Sequence, residues 1–210
     1  MRINKQFMIN YFKTLFKIIK SYRLYIFPIL MMEFFFMLRY NKKFNKFKNL
    51  NSNNSSDPIP SSFYILKKIE KFILRNKIKT ICDLGSGYGK TLYFFGKIKN
   101  FHIDGIELDN EIYNDTLILR DTNIEIFNEN ILEFKLNHKK YDLLIINDPL
   151  KKIQDFETLI KKINNTYNDL FIVMINISSD KLKIAGDNLQ IINQKFFSKD
   201  RNIIFLKKFN

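Results

Sequence analysis

The stretch ICDLGSGYGKTLYFF, Ile81 to Phe95, sets three alternating glycines directly after a short apolar run. A run of this length bounded by glycine reads as a buried strand, Thr80–Leu84, turning sharply into a helix over Thr91–Ile98. The turn carries two overlapping signatures. Gly89-Lys90-Thr91 looks like the end of a loop that cradles phosphate, whereas Asp83-Leu84-Gly85-Ser86-Gly87-Tyr88-Gly89 looks like a cofactor loop after a strand.

Spacing separates the two in part. The phosphate pattern G-x-x-x-x-G-K-[ST] needs glycine where Leu84 stands, so this loop is one residue short of the backbone curl that surrounds a β-phosphate. An acidic residue within Leu143–Asp148 could still serve a nucleotide hydrolase, and that reading stays open. The second pattern uses more residues. Glycines let backbone approach a ligand, Asp83 can organise the loop and meet an ammonium group, and Glu107 ends the next predicted strand about 20 residues on, where a carboxylate accepts from ribose hydroxyls. The dinucleotide pattern G-x-G-x-x-G is not met, because the third glycine comes one residue early at Gly89.

Working outward, Ser61–Arg75 has Phe63, Ile65, Leu66, Ile69, Phe72, Ile73 and Leu74 at helical spacing. Beyond the glycine loop, strands are expected at His102–Glu107, Ile124–Phe127, Tyr141–Asn147 and Leu170–Ile175, with helices at Asn110–Arg120 and Lys151–Ile163. That alternation specifies an α/β fold with a doubly wound, mostly parallel sheet. Leu189–Phe197 and Asn202–Phe209 are joined by too few residues for a crossover and should form a C-terminal antiparallel hairpin. Three regions follow: a helical extension over 1–48, a polar linker over 49–60 containing Asn49–Ser56, and a domain over 61–210.

From about Pro58 to its end the chain resembles the class I S-adenosylmethionine-dependent methyltransferases. The resemblance rests on Asp83–Gly89, on Gly105-Ile106-Glu107-Leu108, and on Asn128-Glu129-Asn130-Ile131-Leu132-Glu133-Phe134. Pro58-Ile59-Pro60-Ser61-Ser62 is similar to the leading segment of a bacterial subgroup and of small protein-lysine methyltransferases. The resemblance implies a seven-stranded sheet and S-adenosylmethionine held by Asp83, Gly85, Ser86, Gly87, Gly89, Glu107, Leu108, Asn130 and Ile131. Asn130 stands where many members carry an adenine-binding aspartate; its amide can still pair with the adenine edge. Asn147-Asp148-Pro149-Leu150 falls where the fold places acceptor-binding groups, and Asn147 and Asp148 are the candidate catalytic residues. The tetrad is similar to the Asn/Asp-Pro-Pro-Tyr/Phe motif of amino-methyltransferases, but it lacks the second proline and has Leu150 for the stacking aromatic. That departure turns the expected acceptor from a nucleobase towards a protein amine, a lysine, or a small molecule.

Composition bounds the alternatives. The chain of 210 residues has 35 Lys+Arg against 21 Asp+Glu, a net of +14, and Ala185 is its only alanine. Two sources of the charge stay open: a lysine- and asparagine-rich coding bias spread over the surface, and a functional basic face for nucleic acid or lipid. Arginine clusters of the kind that grip nucleic acid are absent, so an RNA or DNA methyltransferase is the alternative; a small nucleotide hydrolase and a non-catalytic methyltransferase-like binding domain are others. Cys82 is the sole cysteine, His102 and His138 are isolated, and no metal site is expected.

The first residues raise a separate question. Met8, Phe12, Leu15, Phe16 and Ile19 recur at helical spacing between Lys13, Lys17 and Lys20, which reads as a basic amphipathic helix. Leu24–Leu38 is intensely apolar, yet shorter than the ~20 residues of a spanning helix and interrupted by Pro28 and Glu33. No cleavage pattern follows it, so it is not read as a signal peptide. The expected location is cytoplasmic, with residues 8–38 forming either a packed lid or a peripheral contact with a membrane's inner face.

Overall fold

The computed structural model describes residues 27–40, 60–198 and 201–208. The predicted basic helix from Met8 to Ile19, the linker Asn49–Ser56 and Pro58-Ile59 lie outside the described residues. The described chain divides into two compact units, one of α1 (Phe27–Tyr40) with Ser62–Tyr64, the other of the remaining residues. In α1, Pro28 sits in the first turn, where its missing N–H has no helical partner to lose.

The larger unit is an α/β sandwich. In chain order its elements are α2 (Phe63–Arg75), β1 (Thr80–Leu84), α3 (Lys90–Leu92), β2 (His102–Glu107), α4 (Asn110–Thr116), β3 (Ile124–Asn128), β4 (Leu143–Ile146), α5 (Ile153–Thr166), β5 (Leu170–Ile175), α6 (Ser179–Asn188), β6 (Gln190–Ser198) and β7 (Arg201–Lys208). The seven strands lie in the order β3-β2-β1-β4-β5-β7-β6. The first five strands pair in parallel, and β7 is antiparallel to both β5 and β6.

The burial of each strand follows its position. β1, β2, β4 and β5 are buried almost throughout, as central parallel strands covered on both faces must be. Residues of β6, at the edge, are mostly exposed, and two register shifts against β7 interrupt its ladder. Helix α2 buries Leu66, Ile69 and Ile73 and lays Phe72 against Phe171 and Phe205, with ring centroids 5.3 and 4.7 Å apart. Helix α5 buries Phe156, Leu159, Ile160 and Ile163 at spacings of three, four and seven, the stripe that its amphipathic pattern requires.

Several predicted boundaries shift. The helix expected over Thr91–Ile98 begins at Lys90 and relaxes into a π-helical stretch over Tyr93–Ile98. The one expected over Asn110–Arg120 ends at Thr116 and tightens into a 3₁₀ turn over Leu117–Leu119. The strand expected over Tyr141–Asn147 is only Leu143–Ile146, because Tyr141 turns to donate its hydroxyl to Asp104 Oδ2 at 2.6 Å. Helix α6 was not anticipated. Its sequence, SDKLKIAGDN, buries Ala185 and packs Leu182 and Ile184 against the core, and the side chain it buries one turn before Ala185 is a lysine, Lys181.

One polar side chain fastens the hairpin to the end of β5. Asn202 is buried; its Oδ1 accepts from Ile177 N at 3.1 Å and its Nδ2 donates to the Ile177 carbonyl at 2.7 Å. Asn202→Leu removes both partners of a buried peptide unit. It should lower unfolding stability by about 2–4 kcal/mol in urea titration; a loss below about 1 kcal/mol would show that these bonds do not hold the hairpin in place.

Candidate functional site

The strand order reverses between β1 and β4, and their ends are in register, Leu84 beside Ile146. Segments leaving a parallel sheet on opposite sides of such a reversal open a crevice at the strands' carboxyl ends. Here four segments meet at the carboxyl ends of the strands: the glycine loop after β1, Glu107 and Leu108 after β2, Asn128–Ile131 at the end of β3, and Asn147–Leu150 after β4.

The glycine loop takes its shape from backbone conformations that side chains resist. Gly85, Gly87 and Gly89 have φ of 86°, 52° and 75°. At Gly85 there is a second constraint, since a Cβ would lie 2.6 Å from Pro149 Cβ. The loops after β1 and β4 therefore touch at one glycine. The N–H groups of Gly85 and Ser86 both donate to the Ile106 carbonyl, at 3.0 and 2.9 Å, and that of Gly89 donates to the Ser86 carbonyl at 3.0 Å.

Two carboxylates stand behind this loop. Glu107 Oε2 accepts from Gly87 N at 2.8 Å and its Oε1 from Asp109 N at 2.9 Å. Asp83, 2% exposed, takes a hydrogen bond from the Thr91 hydroxyl. Burial pushes the Asp83 carboxyl up to about 8, against the Thr91 bond, with the charge of Glu107 adding to the rise. Burial likewise raises Glu107, opposed by its backbone donors. Thr91, which belonged to the phosphate-loop signature, thus serves the acidic residue of the competing pattern.

This arrangement bears on the two loop readings. A phosphate nest offers free N–H groups and positive charge. In this loop the N–H groups of Gly85, Ser86, Gly87 and Gly89 are spent on a carbonyl or a carboxylate, and two buried acids lie beside them. Lys90, the would-be phosphate lysine, is itself buried. The site repels a polyphosphate and suits a ligand that is cationic or rich in hydroxyls. Ser86 Oγ is buried without a hydrogen-bond partner, the one polar group of the loop left to be satisfied.

The remaining predicted residues divide. Leu108 is 52% exposed beside Glu107, an apolar surface open to a flat ring. Asn130 Oδ1 accepts from Leu132 N at 3.0 Å, so its acceptor atom is committed to a turn and its Nδ2 lies 3.4 Å from Glu133 Oε1. Ile131 sends its side chain into the core with Leu84 and Ile106, leaving only backbone for a ligand. Asn128 was not anticipated; its Nδ2 donates to the carbonyls of Glu107 and Leu108 at 3.0 and 3.1 Å and fixes the end of β2. Side-chain amides at strand ends give no periodic signal, and that is why the sequence did not single it out.

At the end of β4, Asp148 has φ of 42°, a left-handed turn in a residue that tolerates it. Its Oδ1 pairs with the ammonium of Lys181, which also donates to the Leu150 carbonyl. Burial raises the Asp148 carboxyl while Lys181 lowers it. Of the candidate catalytic residue Asp148, one oxygen is held in an ion pair by a lysine on the helix that the sequence did not reveal. Asn147 Oδ1 accepts from Asn176 Nδ2 at 3.0 Å. Leu150 is buried in the core and presents no stacking surface.

A cavity of about 530 Å³ opens at the opposite end of the sheet, lined by Thr80, His102, Asp104, Glu125, Lys139 and Tyr141 among others. Its charges are already paired internally, Lys139 with Asp104 and Glu125. No group of three or more potential metal ligands occurs among the described residues.

No protein-family model matches the sequence, and no curated protein does either. Solved structures do. The N-methyltransferase NodS from Bradyrhizobium japonicum WM9 superposes with a TM-score of 0.58 at 11% identity, over 70% of this chain and 96% of that one. The methyltransferase domain of bacterial CtHen1-CN gives 0.56 at 12% identity, over 68% of this chain and 96% of that one. Magnesium protoporphyrin IX methyltransferase (ChlM) from Synechocystis PCC 6803, solved with bound SAM, gives 0.55 at 13%, over 69% and 78%. The fold is thereby shared with three methyltransferases of different description.

The buried acid of the loop has a thermodynamic signature. Asp83 titrates at about 8 in the folded chain and near ~3.9 when unfolded, so between those values the folded state holds the proton more firmly and stability falls as pH rises. Asp83→Asn cannot ionise and should lose that part of the slope. Its stability relative to the parent should grow between about pH 5 and about pH 8, by at most ~1.4 kcal/mol per unit. Urea titrations across this range check it, and a difference independent of pH would remove Asp83 from the account.

Proposed function

We propose that this chain, which has the class I methyltransferase fold, binds S-adenosylmethionine at the crevice and transfers its methyl group. The observation that carries the reading is the pairing of a glycine loop with two buried carboxylates, Asp83 and Glu107. Burying a carboxylate is unfavourable unless something compensates it. A cofactor bearing an ammonium and a sulfonium supplies the charge that Asp83 lacks, and ribose hydroxyls suit the acceptor positions left on Glu107. Ser86 Oγ supplies one more polar group, and Leu108 an apolar face for adenine.

The cofactor when bound supplies an electrophilic methyl on a good leaving group, so the protein's part is mostly alignment and exclusion of water. Asp83, Ser86 and Glu107 hold one side, and the close approach of Gly85 to Pro149 sets that side directly against the acceptor segment. Asn147 and Asp148 face the acceptor role. We read the acceptor as a protein amine, a lysine: the Asp148 carboxylate and Leu150 carbonyl together already hold an alkylammonium, that of Lys181. Asp148 orients; its Oδ1 is occupied by Lys181, and the amine must reach the site deprotonated.

Calorimetric titration with S-adenosylhomocysteine tests the cofactor. Saturable binding should weaken roughly tenfold to a hundredfold in Glu107→Ala and in Asp83→Ala, the worth of a charge-assisted hydrogen bond. Because the ligand's ammonium favours ionised Asp83, affinity should rise from about pH 6 to about pH 8 with proton release into the buffer. Binding of magnesium-ATP in place of S-adenosylhomocysteine would refute the reading, and binding of neither would leave a platform without catalysis.

The acceptor is tested by incubating the chain with methyl-labelled S-adenosylmethionine and extracts separated into protein and nucleic acid. Label recovered from protein as methyl-lysine is the expected result; label in RNA or DNA would reassign the acceptor.

A further inference from the structure

The positive charge is not spread over the sequence. Residues 1–48 hold eleven Lys and Arg against the single acid Glu33, a net of +10, which leaves +4 of the chain's +14 for the other 162 residues. A coding bias would have distributed it roughly by length, and this segment is under a quarter of the chain. The basic residues bracket an apolar stretch, Leu24–Leu38, that has no Lys or Arg within it.

Inside that bracket lies α1. Phe27, Met31, Phe34 and Phe35 are 53%, 37%, 36% and 59% exposed, an unusual outlay of large apolar surface on one short helix. Spacings of four, seven and eight residues from Phe27 place all four on one face. The helix has 14 residues and so a length of about 21 Å against a hydrocarbon core of about 30 Å. No helix among the described residues is long and apolar enough to cross a membrane.

We propose that this face of α1 docks on a lipid bilayer bearing anionic headgroups, lying in the interface with the Phe27, Met31, Phe34 and Phe35 stripe in the acyl region. Two features of this segment name that partner. The stripe of three phenylalanines and a methionine matches hydrocarbon, and the flanking basic residues, at +10, match a negative surface within a screening length. Nucleic acid would satisfy the charge and leave the stripe in water. A protein groove would cover the stripe and leave most of the basic flanks without a counterpart. This docking does not depend on the chemistry of the crevice.

The chain contains no tryptophan, so Phe35→Trp creates a single reporter on the stripe. The full-length variant is mixed with vesicles of phosphatidylcholine alone, or of phosphatidylcholine with phosphatidylglycerol. The expected result is cosedimentation with the anionic vesicles and a blue shift of emission, with little of either on the neutral ones. Raising salt from about 0.1 M to about 1 M should release much of the bound chain, as the screening length falls from ~10 to ~3 Å. Phe34→Ser with Phe35→Ser should weaken binding to anionic vesicles by at least about tenfold, from the apolar surface withdrawn. Unchanged far-ultraviolet circular dichroism would show that this variant is folded. Failure to sediment with anionic vesicles overturns the proposal. So does sedimentation without a blue shift, or with full retention in the double variant, since the charge alone would then be acting. Displacement from vesicles by a short RNA duplex, with the emission of free chain restored, would reassign the basic flanks to nucleic acid.

Discussion

The hydrogen bond from the Gly87 N–H to the Glu107 carboxylate joins the ends of β1 and β2 at the place where each would otherwise be free to fray. Its other oxygen takes Asp109 N, which also begins α4, where the Asp109 side chain caps the N–H groups of Glu111 and Ile112. One buried carboxylate therefore fixes a glycine loop, a strand end and a helix start. The geometry of the crevice depends on it. Its lone pairs are the reason the loop cannot be a phosphate nest, because the N–H that would greet an anion is already turned towards a negative group.

A buried acid pair has a cost that a purely structural role does not explain. Asp83 sits in a strand with covered faces, near a second carboxylate, and is held by a single hydroxyl. An apolar residue there would make a more stable strand end. Retaining an acid at that point stores a demand for positive charge, which is met when a cation enters and unmet otherwise. On the proposed function, a cationic ligand would gain affinity from compensating that burial in addition to new contacts.

Much of this was legible in the sequence for local reasons. Glycines with positive φ, an acid before them and an acid about 20 residues later are features of chain spacing, and the parallel sheet follows from buried apolar runs of strand length. What was not legible depends on contacts between distant segments. Lys181 has the composition of a surface lysine on a weakly amphipathic helix, and only the fold turns it inward onto Asp148 and the Leu150 carbonyl, 33 and 31 residues away. Asn128, Asn176 and Asn202 are likewise polar residues in an asparagine-rich chain; their roles come from the strand ends they happen to close. The motif departure at Leu150 has a similar origin, since the residue belongs to the core beneath the loop and not to its rim.

The Asp148–Lys181 pair has a consequence for what the acceptor segment can do. A carboxylate with a left-handed backbone and a lysine on one oxygen is fixed in direction, while burial holds its carboxyl above the usual range against the opposing lysine. Removing either partner leaves a largely buried charge uncompensated, so the pair persists as a unit or not at all. Methyl transfer to an amine needs the nitrogen lone pair pointed at the donor more than it needs a proton removed in the same step. On the proposed function, a carboxylate fixed in direction beside the Asn147 amide would meet the first requirement, and the bound cofactor would supply the chemical drive.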